Sequence, residues 1–138
     1  MTRILLTGGT GQIGWELCRT LPPLGDLFAP DRRRLDLARP DSIREALREV
    51  RPQIIVNTAG YTAVDQAESE RALAMQVNGV APGVMAEEAK RLGALLIHYS
   101  TDYVYDGASA SPYTESERPN PLNAYARSSW RYLEETEE

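Results

Sequence analysis

The chain holds a single cysteine, Cys18, so no disulfide can close within it. That fits a reducing compartment, and Cys18 reads as a small apolar helix residue rather than a reactive thiol. Lysine is almost missing as well: Lys90 stands alone, and the rest of the 15 basic residues are arginine. Against 20 acidic residues this leaves a net charge of −5, which argues against nucleic-acid binding, whose footprint is a basic face. No apolar run approaches the roughly 20 residues of a membrane span. The opening "MTRILLTGG" carries no cleavage pattern, so no secretory signal is expected. The lone histidine, His98, sits in an apolar stretch and is expected as a satisfied core residue, and no metal site is expected. No repeat and no low-complexity linker divides the chain. The expectation from these absences is a cytoplasmic, non-membrane protein, and its 138 residues, 42% of them hydrophobic, suffice for one core.

Strand-like and helix-like segments alternate from the start. "RILLT" (3–7) is a short apolar run of the kind buried in a parallel sheet. "QIGWELCRTL" then places apolar residues at 13, 17 and 21, a helical spacing that Pro22-Pro23 ends. "DLFAPD" (26–31) is a weaker strand. "PDSIREALREV" opens on Pro40, Asp41 and Ser42 as cap signals and sets Ile43, Leu47 and Val50 on one face. "QIIVNTAG" (53–60) is a third strand. A long helical region from about 65 to 92 is expected to bend or break near Gly79–Gly83. "ALLIHYST" (94–101) is a fourth strand, 106–121 is a loop rich in turn residues, and a helix starts at about Asn123. This rhythm predicts an α/β fold: a Rossmann-like doubly wound parallel sheet in the order 3-2-1-4, with a ligand over the carboxyl ends of its strands.

"TGGTGQIG" lies where a dinucleotide site needs it, after the first strand and opening the first helix. At Gly8, Gly11 and Gly14, a tight turn, close approach to a pyrophosphate and close helix–strand packing each exclude a Cβ. The helix N-terminus adds free N–H groups and partial positive charge. Asp31, 20 residues beyond Gly11, is placed to meet the adenosine ribose and favours the free 2′-hydroxyl of NAD. Arg32, Arg33 and Arg34 follow at once, and a guanidinium there clamps the 2′-phosphate of NADP or forms a solvated corner. NADPH and NADH therefore both stay open as cofactors. Asp36 and Leu37 fall beside the adenine.

Three further motifs, "NTAGYTAVDQAE" (57–68), "STDYVYDG" (100–107) and "NPLNAY" (120–125), occur in order with "GQIGWEL". Together they resemble the dTDP-4-dehydrorhamnose reductase family of the extended short-chain dehydrogenase/reductase superfamily, from residue 3 to about 128. Tyr103, where dehydratases of the superfamily carry an acidic residue, favours the reductase. The resemblance implies reduction of the 4-keto group of a dTDP-sugar with NAD(P)H, in dTDP-L-rhamnose synthesis. It implies that Gly11, Gln12 and Ile13 touch the pyrophosphate and that Gly60, Tyr61 and Thr62 line the cofactor. It implies Thr101 and Asp102 as sugar contacts, Thr101 at the keto oxygen, and Tyr125 as proton donor. Glu16 matches a glutamate that some relatives use at a metal-assisted dimer contact. Hydride delivery to a ketone leaves an alkoxide, which a phenol can protonate with help from a hydroxyl such as that of Thr101. Tyr99, Tyr103, Tyr105 and Trp130 are expected to pack.

The family pattern breaks at position 129. A lysine four residues after the tyrosine would bring an ammonium under the phenol and onto the nicotinamide ribose, but Ser129 stands there. At 100° per residue, Arg127 lies about 200° and Arg131 about 240° from Tyr125, so neither shares its face, whereas Ser128, Ser129 and Tyr132 do. The expectation is a single NAD(P)-binding Rossmann domain over 1–138, truncated after the fourth strand and following helix, with the family's substrate-binding part absent and the acidic end (Glu134, Glu135, Glu137, Glu138) a fraying helix terminus. The apolar fourth strand then becomes an edge, which predicts a homo-oligomer through it. Three functions stay open: a reductase of weak or no activity as an isolated chain, a non-catalytic dinucleotide-binding or regulatory module, and a degenerate homologue without a ligand.

Overall fold

The computed structural model describes residues 1–135. Its elements are β1 (Arg3–Thr7), α1 (Gln12–Thr20), β2 (Asp26–Phe28), α2 (Pro40–Val50), β3 (Ile54–Asn57), α3 (Arg71–Met75), α4 (Ala81–Leu92), β4 (Leu95–His98) and α5 (Ala124–Glu135). The four strands form one parallel sheet with helices on both faces, a Rossmann-like doubly wound fold. On one face Leu5 and Ile55 pack under Ile43 and Leu47 of α2 and Val84 and Met85 of α4. On the other, Ile4, Leu6 and Val56 meet Leu17, Cys18 and Leu21 of α1. Leu5, Leu6, Ile43, Leu47 and Ile55 are fully buried, and each such side chain contributes about 2 kcal/mol of burial free energy.

The strand order is β2-β1-β3-β4, not 3-2-1-4. The third strand docks on the far side of β1, with Leu5 beside Ile55 and Thr7 beside Asn57. The reason is burial. Ile55, Val56 and Asn57 are each less than 5% exposed, so β3 needs a neighbour on both edges. β2 is three residues long, with Asp26 and Phe28 exposed, and cannot shelter such a strand. β1 leads through α1 to β2 on one side, and β2 leads back through α2 to β3 on the other, which opens a crevice at the carboxyl ends of β1 and β3.

The long helical region is interrupted earlier than the glycines suggest. Gln76–Val80 forms a π-turn between α3 and α4, closed by the Ala81 N–H on the Gln76 carbonyl. Pro82 has no N–H to offer the carbonyl four residues back, so the ladder re-registers before it. Gly79 has a packing role here, since a Cβ on it would lie 3.1 Å from the Ser128 carbonyl of α5, whereas one on Gly83 would meet nothing. α2 starts on Pro40 as expected, but Ser42 bonds the N–H of Asp36 rather than its own helix. The reading of the acidic end concerns residues that lie outside those whose side chains are described.

β4 is an edge of the sheet among the described residues. Leu96 turns into the core under α4, while Leu95 and Ile97, on the α1 side, are 57% and 42% exposed. His98 is a half-buried core residue, as expected. The Asn57 side-chain amide bonds its Nδ1 at 3.0 Å, and Asn57 Oδ1 accepts from Thr7 Oγ1 at 2.5 Å. A polar ladder therefore crosses β1, β3 and β4 at their carboxyl ends. Burial holds the His98 imidazole below its ordinary value and favours the neutral form.

Candidate functional site

The carboxyl ends of β1, β2 and β3 surround an open cavity of about 730 Å³. Gly8 follows β1 with a φ of +73°, a left-handed conformation suited to glycine, and its carbonyl accepts the Gly11 N–H at 2.9 Å. α1 starts next, and the N–H groups of its first turn have no partners within the helix. A Cβ on Gly14 would lie 1.9 Å from the Gly8 carbonyl oxygen, so α1 sits as close to the loop as a bare Cα allows. Cys18 lies beneath, with its Sγ facing Gly9, and borders the cavity.

The far wall comes from the turn after β2. Asp31 Oδ1 accepts the N–H groups of Arg33 and Arg34 at 3.0 and 3.3 Å, so this carboxylate builds the turn as well as facing the cavity. Arg32 and Arg33 also border it and are among the most exposed arginines, with side chains 79% and 94% exposed. Arg32 approaches Asp36 at 3.6 Å, and Asp36 in turn accepts the Ala38 N–H. Leu37 is anchored in the core and shows only an edge to the cavity.

The third wall is the loop after β3, where Gly60 and Tyr61 face the cavity. Tyr61 is held at three atoms. Its N–H donates to Asn78 Oδ1 at 2.8 Å and its carbonyl accepts from Asn78 Nδ2 at 2.9 Å. Its phenol donates to Glu70 in a short hydrogen bond; that bond, then burial and the Glu70 charge, push it up to about 12. Gly8, Asp31, Arg32, Asp36, Leu37, Gly60 and Tyr61 of the predicted cofactor residues thus meet around one cavity. Gly11, Gln12, Ile13 and Gly14 form the adjoining turn and helix start, while Thr62 is exposed beyond the rim.

The predicted chemical residues stand apart from that cavity. Tyr125, in the first turn of α5, packs edge-on against Tyr103, with ring centroids 5.6 Å apart at 81°. It shares a small cluster with Tyr61 over Ala67, Ala74 and Ala124. Thr101 caps the short turn at 102–104 by accepting the Tyr103 N–H at 3.2 Å. Thr101 and Asp102 border a second, open recess of about 900 Å³ together with Arg118 and Trp130. Trp130, expected only to pack, is therefore also a recess wall. Tyr105 does pack, stacked on Tyr113 at 4.4 Å. Glu16 is an exposed carboxylate paired with Arg19 at 3.0 Å.

Position 129 faces Tyr125 as the helical wheel requires, but Ser129 donates to the Tyr125 carbonyl at 3.2 Å. Ser128 does the same at 2.7 Å and also receives Asn78 Nδ2 at 3.0 Å. Asn78 is a residue the sequence reading missed. The one signal for it was the expected break in the helix, because π-turns gather at functional sites.

Known proteins match this chain in sequence and in fold. Residues 1–136 match the family model described as the RmlD substrate binding domain. A dTDP-4-dehydrorhamnose reductase of Burkholderia thailandensis is 49% identical over 126 residues, 91% of this chain and 42% of that protein. The enzyme of the same name from Escherichia coli K12 is 47% identical over 126 residues, 88% of this chain and 42% of its own. A crystal structure of the Bacillus anthracis dTDP-4-dehydrorhamnose reductase in complex with NADP superposes with a TM-score of 0.91 at 36% identity, over 97% of this chain and 49% of that one. The UDP-glucose 4-epimerase of Thermus thermophilus, at 22% identity and a TM-score of 0.84 over 99% of this chain and 50% of its own, shares the fold. The chain spans about half the length of the relatives it matches. The chain belongs to the RmlD substrate binding domain family, and the relatives it matches here are dTDP-4-dehydrorhamnose reductases.

Proposed function

We propose that this chain is a single dinucleotide-binding unit, residues 1–138, of an NAD(P)H-dependent reductase for a 4-keto dTDP-sugar of the dTDP-4-dehydrorhamnose type. The observation that carries the reading is the cavity of about 730 Å³ at the glycine turn. Its shape fits a dinucleotide: a glycine turn at a helix start, held close to that helix because Gly14 carries no Cβ, and two exposed guanidiniums at the opposite wall. Gly8, Gly11, Gln12, Ile13 and Gly14 hold the pyrophosphate. Asp31 and Arg32 meet the adenosine ribose, Asp36 and Leu37 the adenine, and Gly60, Tyr61 and Thr62 the nicotinamide side. Two arginines against one carboxylate engaged in its own turn favour NADPH over NADH.

The reduced nicotinamide supplies hydride when bound. Tyr125 then delivers a proton to the carbonyl-derived oxygen, with the Thr101 hydroxyl donating to that oxygen and Asp102 orienting the sugar. With Ser129 in place of an ammonium, turnover by this chain alone is weak or nil. That same serine supports a second reading, a non-catalytic dinucleotide-binding module. The setting is the cytoplasm, where one free thiol stays reduced. No helix among the described residues is long and apolar enough to cross a membrane. The partners are the dTDP-sugar and a second copy of this chain at the β4 edge, where Leu95 and Ile97 stand exposed. Light scattering of the purified chain is expected to give a dimer or larger species, and a monodisperse monomer at working concentration rejects the self-association.

The test of the main reading is a fluorescence titration with NADPH and with NADH. Saturable micromolar binding is expected, tighter for NADPH, with Cys18 alkylation slowed as the cavity fills. No binding of either nucleotide overturns the reading. Ser129→Lys is expected to tighten nucleotide binding about tenfold, the worth of a new hydrogen bond from a charged donor. Unchanged affinity would mean that position 129 does not face the nicotinamide ribose.

A further inference from the structure

We propose that Glu68 is a positioning residue for Tyr125: it caps the Tyr125 helix from outside and makes that helix respond to what fills the dinucleotide cavity. Glu68 Oε1 accepts the Ala124 N–H at 2.7 Å, across 56 residues of chain. Ala124 is the first residue of α5 and directly precedes Tyr125. Its N–H is one of those that no helix can satisfy internally. Asn123 satisfies another, the Ala126 N–H at 2.8 Å, in the usual local way. The remote cap is therefore additional to the local one.

The carboxylate is aimed. Its second oxygen takes Arg71 Nη2 at 2.7 Å, and Arg71 Nε bonds the Glu68 carbonyl at 3.1 Å, which fixes the guanidinium against its own turn. The Ala124 N–H and then Arg71 hold the Glu68 carboxyl below its usual range, as expected for a carboxylate at a helix N-terminus.

A second fastening lies one turn on. Asn78 Nδ2 holds Ser128, whose hydroxyl holds the Tyr125 carbonyl, and the same Asn78 amide grips Tyr61 at both backbone groups. Tyr61 is a wall of the cavity. Tyr125 sits between the two fastenings. With both in place, pressure on Tyr61 is carried to a helix that cannot pivot. With Glu68 removed, α5 can turn about Ser128 and the phenol moves.

The coupling rests on the cofactor reading above, and the experiment separates the two. Backbone amide exchange along α5 is measured with and without NADPH for the native chain, Glu68→Ala and Glu68→Gln, with the amides of β1 and β3 as a fold control. The Ala124 amide proton is followed by NMR through acid pH without nucleotide. The native Ala124 resonance is expected to titrate with a midpoint below the ordinary glutamate range. In Glu68→Ala that titration vanishes and the first turn of α5 exchanges about fivefold faster, the effect of losing one cap. Glu68→Gln, which keeps an acceptor, restores most of the protection without the titration. NADPH slows α5 exchange in the native chain but not in Glu68→Ala. The proposal is overturned if Ala124 does not titrate, or if Glu68→Ala matches the native chain in α5 exchange and in its response to NADPH. Failure of the native chain to bind NADPH overturns the cofactor reading and the coupling with it, and the nucleotide-free measurements then decide the capping role alone.

Discussion

Gly14→Ala is expected to abolish nucleotide binding and to lower stability by more than about 3 kcal/mol. Inside a helix, replacing glycine by alanine ordinarily gains about 1 kcal/mol, because the unfolded chain loses freedom it no longer has to surrender. Here sterics reverse the sign. The new Cβ would stand 1.9 Å from the Gly8 oxygen, 2.6 Å from the Gly8 carbonyl carbon and 2.9 Å from Gly9 Cα. All three are backbone atoms of the turn, so no rotamer change relieves the clash. Either α1 lifts off the sheet, breaking its contacts with Ile4 and Leu6, or the turn opens and its N–H groups no longer converge. Gly83→Ala is the matched control. It too is helical, but a Cβ there meets nothing within 4 Å, so it is expected to stabilise by about 0.5–1 kcal/mol. Urea denaturation and an NADPH titration of both variants decide the matter. Native-like binding by Gly14→Ala would remove the glycine turn from the site.

The features legible in the sequence were those written in local period. Apolar runs of four or five residues gave β1, β3 and β4, and the spacing of Ile43 and Leu47 gave α2. The glycine turn could be placed because a strand precedes it and a helix follows. Strand order was not legible. An apolar run states that it is buried but not which edge it joins, and the shortness of β2 shows only in the folded sheet. The π-turn was half legible, since Gly79 and Gly83 marked the neighbourhood while Pro82 set the register. Serine at position 129, where the resemblance implies a lysine, could be read directly, because it concerns one helical turn. Glu68 and Asn78 could not be read as they act. Their partners lie 56 and 50 residues away, and nothing in composition or periodicity joins Glu68 to Ala124 or Asn78 to Ser128. Asp31 illustrates a different limit. Its position promised a ribose contact, and the fold also spends its carboxylate on the turn that holds Arg33 and Arg34.

Glu88→Gln is expected to cost about 2 kcal/mol at neutral pH and to flatten the acid limb of the stability curve. Glu88 is 2% exposed, wedged between α2 and α4. Arg48 donates to both of its oxygens, at 2.8 and 3.2 Å, and Arg91 adds a third bond at 3.1 Å. A glutamine keeps the shape but turns an NH₂ toward a guanidinium, so a donor faces a donor. Arg48, and then burial opposed by the charges of Arg48 and Arg91, leaves the Glu88 carboxyl below its ordinary value of 4.5. Glu68 is lowered by the Ala124 N–H and Arg71, and Asp106 by the Ala108 N–H, Asn120 and Tyr113. For each of these carboxyls the folded value is the lower one. The stability they contribute is complete above the unfolded value and is lost as pH falls through the folded value. His98 adds an earlier stage of the same sign. Its folded value lies below 6.5, so the unfolded chain takes up a proton first and stability begins to fall below about pH 6.5. Thermal unfolding from pH 7.5 to pH 3 should therefore show Tm declining gently below pH 6.5 and steeply below about 4.5, with the steep part reduced in Glu88→Gln. Glu88→Met separates charge from packing. Arg48 and Arg91, with side chains 53% and 64% exposed, return to water, and an apolar chain fills the wedge at less cost than glutamine. A glutamine variant with native Tm at pH 7 and an unchanged acid limb would mean that the Arg48–Glu88 pair only decorates the α2–α4 contact and does not hold it.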